Sequence, residues 1–102
     1  MELNNLLDVF QSKLRLMIIS ALITGSKTFK EIKEITGATD GNISVQITKL
    51  ENVGFIIVTK AFHNKRPQTT IEITEKGTHE FLAYIDMLNH IVEQAQNSPS
   101  KP

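Results

Sequence analysis

With 102 residues and an apolar share of 40 %, the chain is sized for one compact domain with a core of its own, and no second folded domain is expected. It contains no cysteine, which excludes disulfide scaffolds, thiolate metal sites, Fe–S clusters and a cysteine nucleophile within it. Its formal net charge of zero is unevenly spread: residues 11–66 hold nine Lys and Arg against four Asp and Glu, a local +5, whereas residues 67–102 carry −3 and residues 1–10 carry −2.

In chain order, the opening MELNNLLDVF lacks the basic region and small-residue cleavage site of an export signal. The longest apolar-rich run, LRLMIISALI at 14–23, is interrupted by Arg15 and Ser20 and falls well short of the ~20 residues that span a bilayer. A cytoplasmic location with no membrane partner is therefore expected. Leu3, Leu6, Leu7 and Phe10 form a first apolar set that needs cover. Ser12 is placed to cap a helix whose buried stripe is Leu14, Met17, Ile18, Ala21 and Leu22, and Gly25 stops it. In KTFKEIKEITG, Thr28 and Glu31 have the T-x-x-E spacing of a capping box. Phe29, Ile32 and Ile35 give that second helix its stripe, and Gly37 ends it.

Thr39 then caps a third helix, about residues 39–52, with Ile43, Ile47 and Leu50 inward and Asn42, Val45, Gln46 and Lys49 outward, before Gly54. Two helices joined only by Gly37 and Ala38 ahead of a capping Thr make a helix-turn-helix. The period next changes to two: FIIVTKAF and QTTIEIT read as the strands of a hairpin, joined by residues 63–67 with Lys65 and Arg66 at the tip. Thr74 caps a last helix with acidic Glu75 in its first turn, running to about Gln96. Its stripe of Phe81, Tyr84, Ile85, Leu88, Ile91, Val92 and Ala95 is wide for the terminal helix of so small a domain. Residues 97–102, NSPSKP, read as a disordered tail beyond a domain of residues 1–96.

This order predicts an α+β, mostly helical fold: a winged helix-turn-helix with a two- to three-stranded wing and a C-terminal dimerisation helix. The segments TDGNISVQITKLENVGFI and KAFHNKRPQTTIEITEKG closely resemble small winged-helix transcriptional regulators related to the MarR and ArsR types, in the subgroup with a TDGNLS-like recognition helix and an RP-x-T wing. The resemblance covers about residues 7–92, with recognition-helix segment, wing and ITEKG junction in the right order. It implies a homodimer on double-stranded operator DNA, with the third helix in the major groove and the wing, about residues 60–69, on the backbone or minor groove.

The residue chemistry can be set beside that resemblance. A helix entering the roughly 12 Å major groove needs small residues at its leading end and short amides or hydroxyls to reach base edges. Thr39, Gly41, Asn42, Ser44 and Gln46 have those properties, Val45 suits a thymine methyl, and Lys49, one turn on, suits a phosphate. His63, Asn64, Lys65 and Arg66 make up the wing's contact set. The plain alternatives are a solvated face on an ordinary core helix and a solvated hairpin tip. Asp40, whose charge opposes phosphate, is assigned a structural role beside Thr39. Lys13, Arg15, Lys27 and Lys30 are scattered, and only a few of them can lie near DNA.

Catalysis, metal and cofactor are not expected. His79 and His90 stand eleven residues apart on one helix, about 16 Å, and cannot share an ion within a chain. Asp86 and His90 have i, i+4 spacing, which is more often plain electrostatics than a metal pair across a dimer. No residue marks a pocket for a small effector. The dimer contact is expected on Phe81, Tyr84, Ile85, Leu88, Ile91 and Val92, with Leu3, Leu6 and Leu7 in support. The rival from another class is a protein-interaction module whose apolar last helix docks on a larger assembly.

Overall fold

The computed structural model describes residues 9–10 and 12–97; Leu3, Leu6, Leu7 and positions 98–102 of the expected tail lie outside the described residues. Helix α1 (Lys13–Leu22) starts where Ser12 Oγ accepts the Arg15 backbone N–H at 3.2 Å. It buries Ile18 and Leu22 as predicted and also Ile19, because α2, α3 and β3 all pack against it. A two-residue strand, β1 (Lys27–Thr28), follows and is too short for periodicity to reveal.

Helix α2 (Phe29–Thr36) carries both halves of its capping box: Glu31 N–H donates to Thr28 Oγ1 at 3.1 Å, and Thr28 N–H donates to Glu31 Oε1 at 2.9 Å. Gly37 closes the helix at φ 69°, a left-handed value suited to glycine, with its N–H on the Lys33 carbonyl. Ile32 is wholly buried, but Ile35 remains 49 % exposed, against expectation. A strict i, i+3 repeat turns roughly 60° away from one face at each step of a 3.6-residue helix, so the third member leaves the core. Helix α3 (Asp40–Asn52) is capped by Thr39 Oγ1, which accepts the Asn42 N–H at 3.2 Å, and it buries Ile43, Ile47 and Leu50.

Strands β2 (Ile56–His63) and β3 (Arg66–Ile73) pair antiparallel, with β1 on the other edge of β3, giving the order β1-β3-β2. The expected five-residue connection is in fact two residues: Asn64 and Lys65 take φ 53° and 64°, the values a tight type I′ hairpin turn requires, and Arg66 and Pro67 belong to β3. Pro67 stands opposite Phe62, one pair beyond the hydrogen-bonded pair His63–Arg66 that closes the turn. That next pair is a non-hydrogen-bonded one, so the missing proline N–H leaves no gap in the ladder.

Helix α4 (Glu75–Gln96) is tied to the base of the hairpin. Thr74 Oγ1 accepts the Gly77 N–H at 3.0 Å and donates to the Gly54 carbonyl at 2.7 Å, while Thr74 N–H donates to the Phe55 carbonyl at 2.9 Å. The approach is so close that a Cβ on Gly77 would lie 2.3 Å from the Phe55 carbonyl oxygen. Phe10, from the N-terminal segment, fills the centre of this junction, with ring centroids 5.8 Å from Phe55, 6.0 Å from Phe81 and 4.8 Å from Tyr84.

Candidate nucleic-acid interface

The leading end of α3 is open to solvent. Thr39, Asp40, Gly41, Asn42, Ser44 and Val45 are all exposed, as is Lys49. A Cβ at Gly41 would meet nothing within 4 Å, so the fold does not need glycine there. Asp40 lies 2.8 Å from Lys33 Nζ, an exposed pair that offsets its charge.

Gln46 departs from the expected reading set. Its Oε1 accepts from Arg15 Nη1 at 2.6 Å, while Arg15 Nε donates to the Val9 carbonyl at 2.7 Å. Arginine offers only donors, so the amide must turn its oxygen to the guanidinium. Gln46 is half-buried on the flank of α3 nearest α1 and braces the helix from there, and the bidentate adenine contact predicted for it would need that oxygen at the base.

On the opposite flank of α3 the wing builds a cleft. Cross-strand pairing puts Ile56, Val58, Lys60 and Phe62 of β2 on one face with Ile73, Ile71, Thr69 and Pro67 of β3. Val58 and Ile71 pack on the core, so Lys60 and Thr69 continue that face past its edge. There they line an open cleft together with Ser44, Thr48 and Glu51 of α3. Neither Lys60 nor Thr48 was predicted, although the period-two step from Val58 to Lys60 carried the signal. A second groove runs along the edge of β3 that β1 leaves uncovered, and it brings His63, Asn64 and Arg66 beside Lys30, Lys33 and Asp40. Lys65 is exposed at the turn itself. From Glu51 to Glu72 the sequence contains no acidic residue, so the whole hairpin above its base is cationic.

Glu31 alone among the described groups has a clearly displaced pKa: hydrogen bonds from the Thr28 backbone and side chain lower it, which belongs to the α2 cap and not to this face. His79 is exposed on α4, and the His90 ring Nε2 lies 3.2 Å from Gln94 Nε2. Among the described residues there is no group of three or more His, Asp or Glu placed to hold a metal ion, and no helix long and apolar enough to cross a membrane.

The predicted dimer stripe on α4 divides in two. Phe81 is buried beneath Phe10, which takes it out of the expected intermolecular contact, whereas Tyr84 and Ile85 pack against the protomer's own core and remain half-buried. Further along, Leu88, Ile91 and Val92 are exposed, the last two to 55 % and 51 %.

A helix-turn-helix with a capped, exposed second helix, a three-stranded sheet and a cationic hairpin beside it is a winged helix-turn-helix protein. The description "Winged helix DNA-binding domain" matches residues 14–92, and the chain belongs to that family. Among relatives, the uncharacterized protein MJ0432 of Methanocaldococcus jannaschii is 37 % identical over 81 residues, covering 78 % of this chain and 87 % of that one. The fold is that of MarR-type proteins. A MarR-family structure from Enterococcus faecalis V583 superposes with TM-score 0.79 at 20 % identity, over 91 % of this chain and 84 % of the other. A transcriptional regulator homologue from Pyrococcus horikoshii OT3 does so with TM-score 0.76 at 25 % identity, over 91 % and 98 %.

Proposed function

We propose that the protein is a homodimeric, sequence-specific regulator of transcription that binds double-stranded DNA, with α3 in the major groove and the β2–β3 wing on the backbone and minor groove. The observation that carries this reading is the concave face shared by α3 and the wing. On the α3 side it holds Ser44, Thr48 and Glu51, and its wall is a hairpin with cations and no acids above its base. Phosphate contacts from Lys60, Lys65 and Arg66 position the duplex, and Asn42, Ser44, Val45 and Thr48 reach base edges. No catalytic step is part of this reading.

A single winged helix reads few base pairs, and the exposed Leu88, Ile91 and Val92 support pairing of the distal half of α4 with its own copy. An isologous contact there sets two α3 helices about 34 Å, one DNA turn, or a multiple apart, so the bound site is an inverted repeat. The test is selection from genomic DNA fragments at several salt concentrations, followed by sequencing of the bound pool. The expected result is a steep negative salt slope and enrichment of an inverted repeat. Binding to no fragment at low salt would remove the DNA-binding reading in favour of a protein-contact module, and recovery of a single asymmetric half-site would remove the dimer.

A further inference from the structure

Phe62 is the one fully presented aromatic ring among the described residues. The rings of Phe10, Phe55 and Phe81 are buried and Phe29 and Tyr84 are half-buried, whereas Phe62 is 79 % exposed. Its place is fixed by the ladder. It stands opposite Pro67, one pair beyond Lys60 and Thr69, on the sheet face that borders the α3 cleft and one pair short of the tight turn. The two-residue turn leaves the hairpin little freedom at its end, so the ring is held out in front of the protein, largely uncovered by the described residues.

The surroundings decide what kind of surface would cover it. Lys60 stands one pair back on the same face, Lys65 lies in the adjacent turn and Arg66 on the other face beside it, and no carboxylate occurs in the hairpin above its base, so an ordinary apolar protein surface seated here would meet these cations without partners for them. Duplex DNA offers both halves of the match. Its phosphates take the cations, and the sugar edges and base steps in the floor of the minor groove accept an apolar ring. Resting on the DNA-binding reading above, we infer that Phe62 is an apolar minor-groove contact of the wing, seated against sugars and base edges while Lys65 and Arg66 hold the flanking phosphates.

The chain contains no tryptophan, so Phe62→Trp places a single indole reporter at this position. Sheared genomic duplex DNA carrying an end label is titrated with this variant at low salt, and label anisotropy is followed together with indole emission and its quenching by acrylamide. The expected result is that saturation of the anisotropy signal coincides with a change in indole emission and a loss of most acrylamide access. Phe62→Ala, which removes only an exposed side chain, is expected to weaken duplex binding by about tenfold, a typical cost of removing an aromatic contact with bases, and to leave the salt slope unchanged because no phosphate contact is lost. Full anisotropy change with unaltered indole emission and quenching overturns this inference alone. No anisotropy change with any duplex removes the DNA-binding reading and this inference with it. Loss of acrylamide access on raising protein concentration without DNA would assign the ring to a contact between copies, and would equally overturn it.

Discussion

Arg15 is the residue whose replacement should move both stability and DNA reading. Its guanidinium holds the Val9 carbonyl at 2.7 Å and reaches Gln46 Oε1, 31 positions further along the sequence, at 2.6 Å. Arg15→Met keeps most of the hydrocarbon stem and removes the donors of these two bonds. The charge-assisted bond to a half-buried amide is worth about 1.5–3 kcal/mol, and leaving the carbonyl of buried Val9 without this donor costs about 1–3 kcal/mol, less whatever water recovers. A total near 2–4 kcal/mol corresponds to a fall in melting temperature of roughly 10–25 °C for a domain of this size. Arg15→Lys should recover little, since a single ammonium cannot serve two acceptors in diverging directions as a planar fork does. The assay is urea unfolding of the single variants Arg15→Met and Gln46→Leu and of the double variant. A coupling of about 1–2 kcal/mol is expected for side chains in direct contact. In DNA selection, Arg15→Met should change the preferred bases more than the non-specific affinity, because the Gln46 amide is released. A coupling below about 0.5 kcal/mol, the size of ordinary non-additivity between independent sites, would refute the brace.

Ile91→Asp, at a position already exposed in the protomer, should leave the fold intact and turn a dimer into a monomer by placing a charge in the proposed contact, as read by sedimentation beside the wild type. A monomeric wild type at tens of micromolar would contradict the dimer itself. Gly77→Ala should lower the melting temperature although alanine favours helices by about 1 kcal/mol, because the new methyl meets the Phe55 carbonyl oxygen and such overpacking costs about 1–3 kcal/mol with backbone on the other side; a raised melting temperature would show that α4 can shift away. Glu31 has its pKa lowered in the fold by the Thr28 hydrogen bonds, so its carboxylate contributes stability that is present above its ordinary value of 4.5 and is lost as pH falls through the lowered value. The stability advantage of wild type over Glu31→Gln should therefore shrink on acidification below that window, and an advantage constant with pH would show that the cap does not depend on the charge.

Much of the fold was legible because its signals are local. Ser12, Thr28, Thr39 and Thr74 each cap the helix that follows by accepting an N–H three residues on, and such a bond is written entirely within four consecutive letters. The hairpin strands were legible for the same reason, as was the inward stripe Ile43, Ile47 and Leu50. What escaped prediction depends on partners distant in sequence. Ile19 is buried because three elements surround α1, and β1 exists only because Thr70 and Ile71 of β3 lie beside it. Phe81 turns inward because Phe10 reaches it, and Gln46 is diverted by Arg15. The candidate site was legible on its α3 side and along its rim of Lys65 and Arg66. Its wall was not, since Lys60 joins the cleft only through cross-strand register with Thr69.

The two flanks of α3 are therefore built for different ends. The Gln46 flank is fixed: Arg15 ties it to Val9, whose neighbour Phe10 packs on Tyr84 at the root of α4. The Ser44 flank is open and faces the cationic wing. Zero net charge is compatible with a polyanionic partner under this arrangement, because the acids of α4 and the cations of the hairpin occupy separate elements and only the local field meets the ligand. In the proposed dimer the distal half of α4 fixes the separation of the two protomers, and the contact chain from Tyr84 through Phe10 and Arg15 reaches each reading helix. A change in the packing of Phe10 is therefore expected to shift the Gln46 flank of α3 through Val9 and Arg15.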